Sequence, residues 1–347
     1  MTSPDTSILG SRSLSEGRPG TKQPITDLRM RLPWLAPYEP LGRHTQVVLT
    51  ACSFLLPLLV WCAVSYVPWI WHPLMRVEQP GSVAMFSEGN LVEKRVFAAE
   101  NAKAVAEGRA PAVGVPANPV FLPAPGEVAA ALYKSFTTPP RRPGEPWLHE
   151  SLWHSIQIIF WGFLWSSVIG VPLGILCGVF GLFSKLTEPV VDFFRYMPAP
   201  AFGALAVAVL GIYDAPKIAI IVIGTFFQQV LVVANTTRKL DHSLIEAAQT
   251  LGARRLQLLR RVVLPGISFD LYNDMRILLG WAWTYLIVAE YIGASSGITY
   301  FINQQAKYRI YENVFAAILL IGLIGFTTDR VLALLGRVIF PWKERGR

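Results

Sequence analysis

Cysteine is scarce in this 347-residue chain, and the three present do not form a chemical set. Cys52, Cys62 and Cys177 all lie within apolar runs, an odd and scattered group without the spacing of a disulfide framework or a metal site. They read as small buried hydrophobes. Also missing is any Gly-rich sequence ending in Gly-Lys-Ser/Thr, so no loop is present to cradle nucleotide phosphates. There is no H-E-x-x-H pair and no G-x-S-x-G elbow. An intramembrane enzyme would have to draw on His154, Asp192, Glu290 and Asp329, which lie on different predicted helices without catalytic spacing. The chain is therefore expected to carry no active site, metal or cofactor of its own.

What is abundant is apolar. Hydrophobic residues make up 52% of the chain and the mean hydropathy is +0.41, well above an ordinary soluble domain. They bunch into long runs, and most of the eleven Trp residues sit near the ends of those runs, where headgroups meet hydrocarbon. The net charge of +8 falls beside the runs, at 12–43, 238–261 and 337–347. Charge so placed sets topology and touches anionic lipid, which argues against nucleic acid as a partner. The polar stretch 1–46 is too long for a usual cleaved signal and reads as a cytoplasmic tail.

The pattern predicts an all-α membrane protein with six spans, at about 47–71, 152–180, 189–211, 216–236, 271–293 and 312–336. Residues 72–150 are expected outside, with amphipathic helices at 91–110 and 123–136; a small external domain is the alternative. The five later spans would form a core over 151–342, with an inside segment at 237–268 and a cytoplasmic tail at 343–347. Gly162, Gly170, Gly174 and Gly178 in the second span suit close helix contact.

Several polar residues at membrane depth are candidates for the translocation pathway. In the third span, Asp192 and Arg195 share a helical face ahead of Pro198 and Pro200, which should bend or interrupt the helix. That helix is either a kinked packing element or a lining of the route. Gln228 and Gln229 either line an aqueous route or hydrogen-bond a neighbour. Arg276, Trp283 and Glu290 in the fifth span complete the set, with snorkelling as the plain account of Arg195 and Arg276. Glu290 reads as a structural pair or a contact for a partner.

Residues 241–265, DHSLIEAAQTLGARRLQLLRRVVLP, read as two short helices meeting at Gly252. Asp241 or Ser243 can cap the first, and Pro265 is expected to stop the second. The result is an elbow projecting from the membrane with apolar tips and a basic flank.

This segment resembles the cytoplasmic EAA loop of binding-protein-dependent ABC importer permeases. Glu246, Ala247 and Ala248 match its opening, Gly252 and Ala253 its turn, and Val262, Leu264 and Pro265 its close. The resemblance extends over about 119–342 and is nearest to the nitrate, sulfonate, taurine and bicarbonate permeases, through VFLPAPGEV, FRYMPAPAFGALAVAVLGI and WAWTYLIVAEYIGASSGI. Phe202 and Gly203 depart from the family's more usual Leu and Pro, and 72–118 is longer than usual. The resemblance implies a permease subunit in a bacterial-type inner membrane, both termini cytoplasmic, importing a small inorganic or organic anion. It implies two cytosolic ATP-binding partners holding ATP and Mg, a second permease chain (identical in the simplest case), and an extracytoplasmic solute-binding protein. Glu246 and Gly252 would couple ATP hydrolysis to alternating access. An ion-driven carrier or channel is the alternative, but it leaves the elbow without a purpose.

Overall fold

The computed structural model describes residues 42–67, 69–140, 144–292 and 296–344. Nearly all of the expected tail at 1–46, and residues 345–347 of the expected C-terminal tail, lie outside the described residues. The chain divides into two compact units between Leu59 and Val60, a boundary inside α1 (Arg43–Tyr66).

Residues 72–150 contain more than amphipathic helices. Three strands, β1 (Leu74–Gln79), β2 (Leu91–Glu93) and β3 (Val113–Ala117), form an antiparallel sheet in the order β2-β1-β3. With α2 (Lys94–Ala106) they enclose a small core of Val77, Val83, Phe86, Phe97 and Ala104, in which Phe86 and Phe97 stack at 5.4 Å. The expected all-α class is thus corrected. Gly114 and Pro116 speak against a strand in sequence, but β3 is an edge strand, where a missing N–H is tolerated. α3 (Pro125–Thr137) matches expectation, with its Glu127 carboxylate accepting from the Ala124 N–H at 2.9 Å.

The remainder is helical: α4 (Leu148–Val179), α5 (Gly181–Arg195), a 3-10 turn (Ala199–Phe202), α6 (Gly203–Leu210), α7 (Asp214–Arg238), α8 (His242–Thr250), α9 (Arg255–Leu258), α10 (Leu264–Ile292), α11 (Ile298–Lys307), α12 (Tyr311–Ile339) and α13 (Pro341–Glu344). The expectation of six spans is corrected as well. Among the described residues four helices, α1, α4, α7 and α12, are long and apolar enough to cross a membrane, or up to five if α5 and the bent segment after it count as one. The expected span at 271–293 falls in α10, whose length suffices but whose apolar run is diluted by Asp270, Asp274, Arg276 and Glu290. The expected span at 189–211 breaks by 86° between Arg195 and Ala199, where Pro198 and Pro200 withdraw two backbone donors.

The centre of the bundle is the contact between α4 and α7, which run parallel. Gly162 faces Ile221, Gly174 faces Val230 and Val233, and Gly178 faces Thr237. A Cβ at Gly174 would lie 2.7 Å from the Val230 carbonyl oxygen, backbone that cannot swing aside. Hence the glycines are packing residues, as their spacing suggests. Gly174→Leu is expected to destabilise by about 1–3 kcal/mol or more, the scale of forced overpacking. Thermal unfolding in detergent reads this, and an unchanged midpoint would mean that the helices do not meet so closely.

Candidate coupling elbow and polar ties

α7 ends at Arg238, and the chain turns out of the bundle into α8 and α9. The Asp241 carboxylate caps α8 by accepting from the Ser243 N–H at 2.9 Å, and this bond holds its carboxyl below the usual carboxylate range. α8 closes on Gly252: the Ala253 N–H reaches the Ala248 carbonyl at 3.0 Å and the Gly252 N–H reaches Gln249 at 2.9 Å. That closure needs a left-handed residue, and Gly252 has φ +80°. A Cβ there would meet nothing within 4 Å, so glycine is required by the torsion and not by crowding. No residue of α8 or α9 is buried. Leu244 and Leu256 are exposed, Leu251 is 88% exposed, and Arg254, Arg255, Arg260 and Arg261 form a basic flank.

The second arm does not stop at Pro265. It passes through a π turn at Leu259–Val263 into α10, with Pro265 in the first turn of that helix. The wider π turn re-registers the backbone so that the missing proline N–H falls where it does no harm. The elbow is therefore continuous with α10, while Leu240 on its other side packs on Gly266. Glu246 and Ala247 are exposed on α8, Ala248 and Ala253 are half-buried, and Leu264 and Pro265 are exposed at the root.

Polar side chains tie the helices together near the elbow. Arg238 pairs with Glu188 of α5 and reaches Ser184 Oγ and the Cys177 carbonyl, each at 3.3 Å. Thr236 of α7 donates to Asp274 of α10, and Arg276 of α10 pairs with Asp329 of α12 at 2.8 Å. A second set lies at the opposite end of the bundle. Glu290 is wholly buried, and its carboxylate accepts from Ser155 Oγ of α4 and from the Thr299 N–H at 2.8 Å in the first turn of α11. Ser155 Oγ in turn accepts from the Ile298 N–H at 2.8 Å. A carboxylate at the N-terminus of α11 satisfies donors that the helix cannot. Beside it, the wholly buried Lys217 donates to Ser296 Oγ at 2.7 Å and Asp214 at 3.1 Å, and His154 lies 3.0 Å from both partners.

The pathway candidates scatter accordingly. Asp192 and Arg195 pair at 2.9 Å, with Arg195 over the Tyr196 ring, at the end of α5 just before the break that holds Pro198 and Pro200. Gln228 is half-buried on α7. Gln229 is buried, accepting from Ser166 at 2.8 Å and donating to Ser167 at 3.1 Å, both on α4. Trp283 packs against the main apolar core, and Arg276 and Glu290 belong to the two sets of ties. Sequence reasoning passed over Lys217 and Ser155; the signal available was a lysine three residues after Asp214 inside an apolar run.

Four helices of membrane length, a bent pair beside them and a bare helical elbow between α7 and α10 describe a multi-pass membrane protein. Comparison with known proteins names the class. The family model described as binding-protein-dependent transport system inner membrane component matches residues 170–340. A probable ABC transporter permease protein of Brucella abortus (strain 2308) is 33% identical over 192 residues, 55% of this chain and 77% of the relative. The taurine transport system permease protein of Escherichia coli (strain K12) is 29% identical over 225 residues, 65% of this chain and 81% of the relative. The inward-facing methionine ABC transporter structure shares the fold at TM-score 0.51 and 21% identity, over 55% of this chain and 95% of that one. The chain belongs to the binding-protein-dependent ABC permease family and is the permease component of an ABC-type importer, a transport subunit rather than an enzyme. Among the described residues, no group of His, Cys, Asp and Glu is placed to hold a metal.

Proposed function

We propose that this permease carries a small organic anion of the sulfonate type across a bacterial cytoplasmic membrane, driven by two cytosolic ATP-binding subunits docked on the elbows of two permease chains. The observation that carries the reading is the elbow itself: its apolar tips at Leu244, Leu251 and Leu256 are bare, and its root runs without interruption into α10. Glu246, Ala247, Ala248, Gly252 and Ala253 form the docking arm, and Leu264 and Pro265 the joint to α10. ATP and Mg reside on the partners. The elbow and both chain ends (1–46 and 343–347) face the cytoplasm, and residues 72–150 face the solute-binding protein outside.

The broken helix at Pro198 and Pro200, with Asp192, Arg195, Gln228 and Trp283, contributes to the route. Gln229, Arg276 and Glu290 hold the frame around it. The sulfonate preference rests on likeness to the taurine permease relative, and nitrate and bicarbonate are the other members of the expected solute class.

The test is purification of the tagged chain from native membrane in a gentle detergent, then uptake by the reconstituted complex. A co-purifying ATPase and ATP-dependent taurine uptake inhibited by ethanesulfonate are expected. Uptake of nitrate in preference to taurine would reject the sulfonate reading, and recovery of the chain alone would reject the docking reading.

A further inference from the structure

At the end of the bundle opposite the elbow, a cavity of about 710 Å³ opens between α3, the segment 118–123 and the corner where α11 turns into α12, with Arg76 of β1 at its rim. Its size is that of a small-molecule site. One wall holds the only non-glycine residue with positive φ among the described residues, Arg309 at +57°. The Arg309 N–H closes on the Ala306 carbonyl at 3.0 Å and the Ile310 N–H on Gln305 at 2.9 Å, a helix ending for which glycine is the unstrained residue. Arginine adds strain here, and its guanidinium makes no interaction with any described residue. The strain is thus an outlier that the fold does not explain.

The lining carries both signs of charge, Arg76, Lys134 and Arg309 with Glu127, Glu145 and Glu312, but they are not all paired with one another. Glu127 is engaged by the Ala124 N–H at 2.9 Å and by Arg76 at 3.8 Å, and Glu145 accepts from the Tyr308 hydroxyl at 3.3 Å. That leaves Arg309 and Lys134 as cations without a side-chain partner among the described residues, against one such carboxylate, Glu312. Two unpaired cations ask for an acid group, and an unpaired carboxylate beside them asks for an ammonium.

We propose that this cavity binds a small zwitterion, its acid group held by Arg309 and Lys134 and its ammonium by Glu312. Two sources carry that chemistry: a free amino sulfonate or amino acid, and the phosphoethanolamine headgroup of a lipid. The site is separate from the elbow and from the broken helix, and it stands whether or not the transported solute is a sulfonate.

The test uses the full chain in nanodiscs of phosphatidylcholine alone, with radiolabelled taurine as probe in equilibrium dialysis and ethanesulfonate as the competitor without an ammonium. In a second arm the nanodiscs contain phosphatidylethanolamine, and retained lipid is weighed by native mass spectrometry. The key variant is Arg309→Gly, which relaxes the backbone and so should melt at or above the parent's temperature. We expect it to weaken taurine binding at least tenfold, or, where the headgroup is the occupant, to lose the retained phosphatidylethanolamine that excludes taurine from the parent. Binding that is unchanged in Arg309→Gly, or retention of neither probe by the parent, would overturn the site. Ethanesulfonate competing as strongly as unlabelled taurine would overturn the zwitterionic assignment.

Discussion

Gly297→Ala is expected to lower stability by about 2–6 kcal/mol, a large share of what holds an ordinary domain together. Two independent costs add. Gly297 sits at φ +101° and ψ 178°, a conformation that glycine alone adopts freely and that costs an L residue about 1–3 kcal/mol. Its Cβ would also run into the Glu290 carboxylate, and overpacking a filled site costs about 1–3 kcal/mol. Glu290 cannot step aside, because it is wholly buried and fixed by Ser155 and by the Thr299 N–H. Moving it would leave those donors unpaired and strip Ile298, through Ser155, of an ordered acceptor. Gly252→Ala is the matched control: φ is again positive, at +80°, but nothing lies within 4 Å, and only about 1–2 kcal/mol of left-handed strain is expected, in an exposed turn. Thermal unfolding of both variants in one detergent separates the cases. Melting of Gly297→Ala within about a degree of the parent would show that the clasp at the start of α11 does not hold that end of the bundle.

The same clasp shows where the sequence was readable. Glu290 stands out as a carboxylate at the end of an apolar run, and a structural pair was one of its expected roles. Its partners, however, come from α4 and α11, 135 and 9 residues away, and no periodicity announces a serine that faces across a bundle. Local signals fared better. Pro198 and Pro200 locate the break after α5 because a missing donor acts on its own turn. Gly252 locates the elbow's turn because its left-handed torsion is a property of that residue alone. The spacing of Gly162, Gly170, Gly174 and Gly178 gave the contact face of α4 without naming α7 as the partner.

What failed did so where context overrides local preference. The strands around 72–118 are short and interrupted by Gly114 and Pro116, so their pairing rests on a small shared core that only the fold assembles. The stretch 271–293 is largely apolar. Yet Arg276 and Glu290, each tied to another helix, interrupt that run, and α10 is not among the described helices long and apolar enough to cross a membrane. The polar ties that hold this helix to its neighbours are what blurred its hydropathy.

Leu251→Asp is expected to abolish ATP-driven uptake while leaving the permease folded and at normal abundance. At 88% exposure this leucine contributes almost nothing to the chain's own core, so a charge there leaves intramolecular packing untouched. On the docking reading, its worth lies in what covers it. An apolar side chain seated at the centre of an interface costs about 2 kcal/mol or more when lost, roughly a 30-fold weakening of the complex, and an unpaired carboxylate pressed into the same apolar seat adds a desolvation penalty. Glu246→Gln makes a graded companion, because its carboxylate is exposed on the same arm and the amide keeps its shape. Three readouts belong together: the melting temperature of the isolated chain, the amount of ATPase recovered with it, and uptake per permease in reconstituted vesicles. The docking reading requires the first to hold steady while the second and third fall. Leu251→Asp with parental uptake at equal abundance would mean that the driving subunit grips elsewhere, and the continuity of the elbow with α10 would then have to serve assembly instead of coupling.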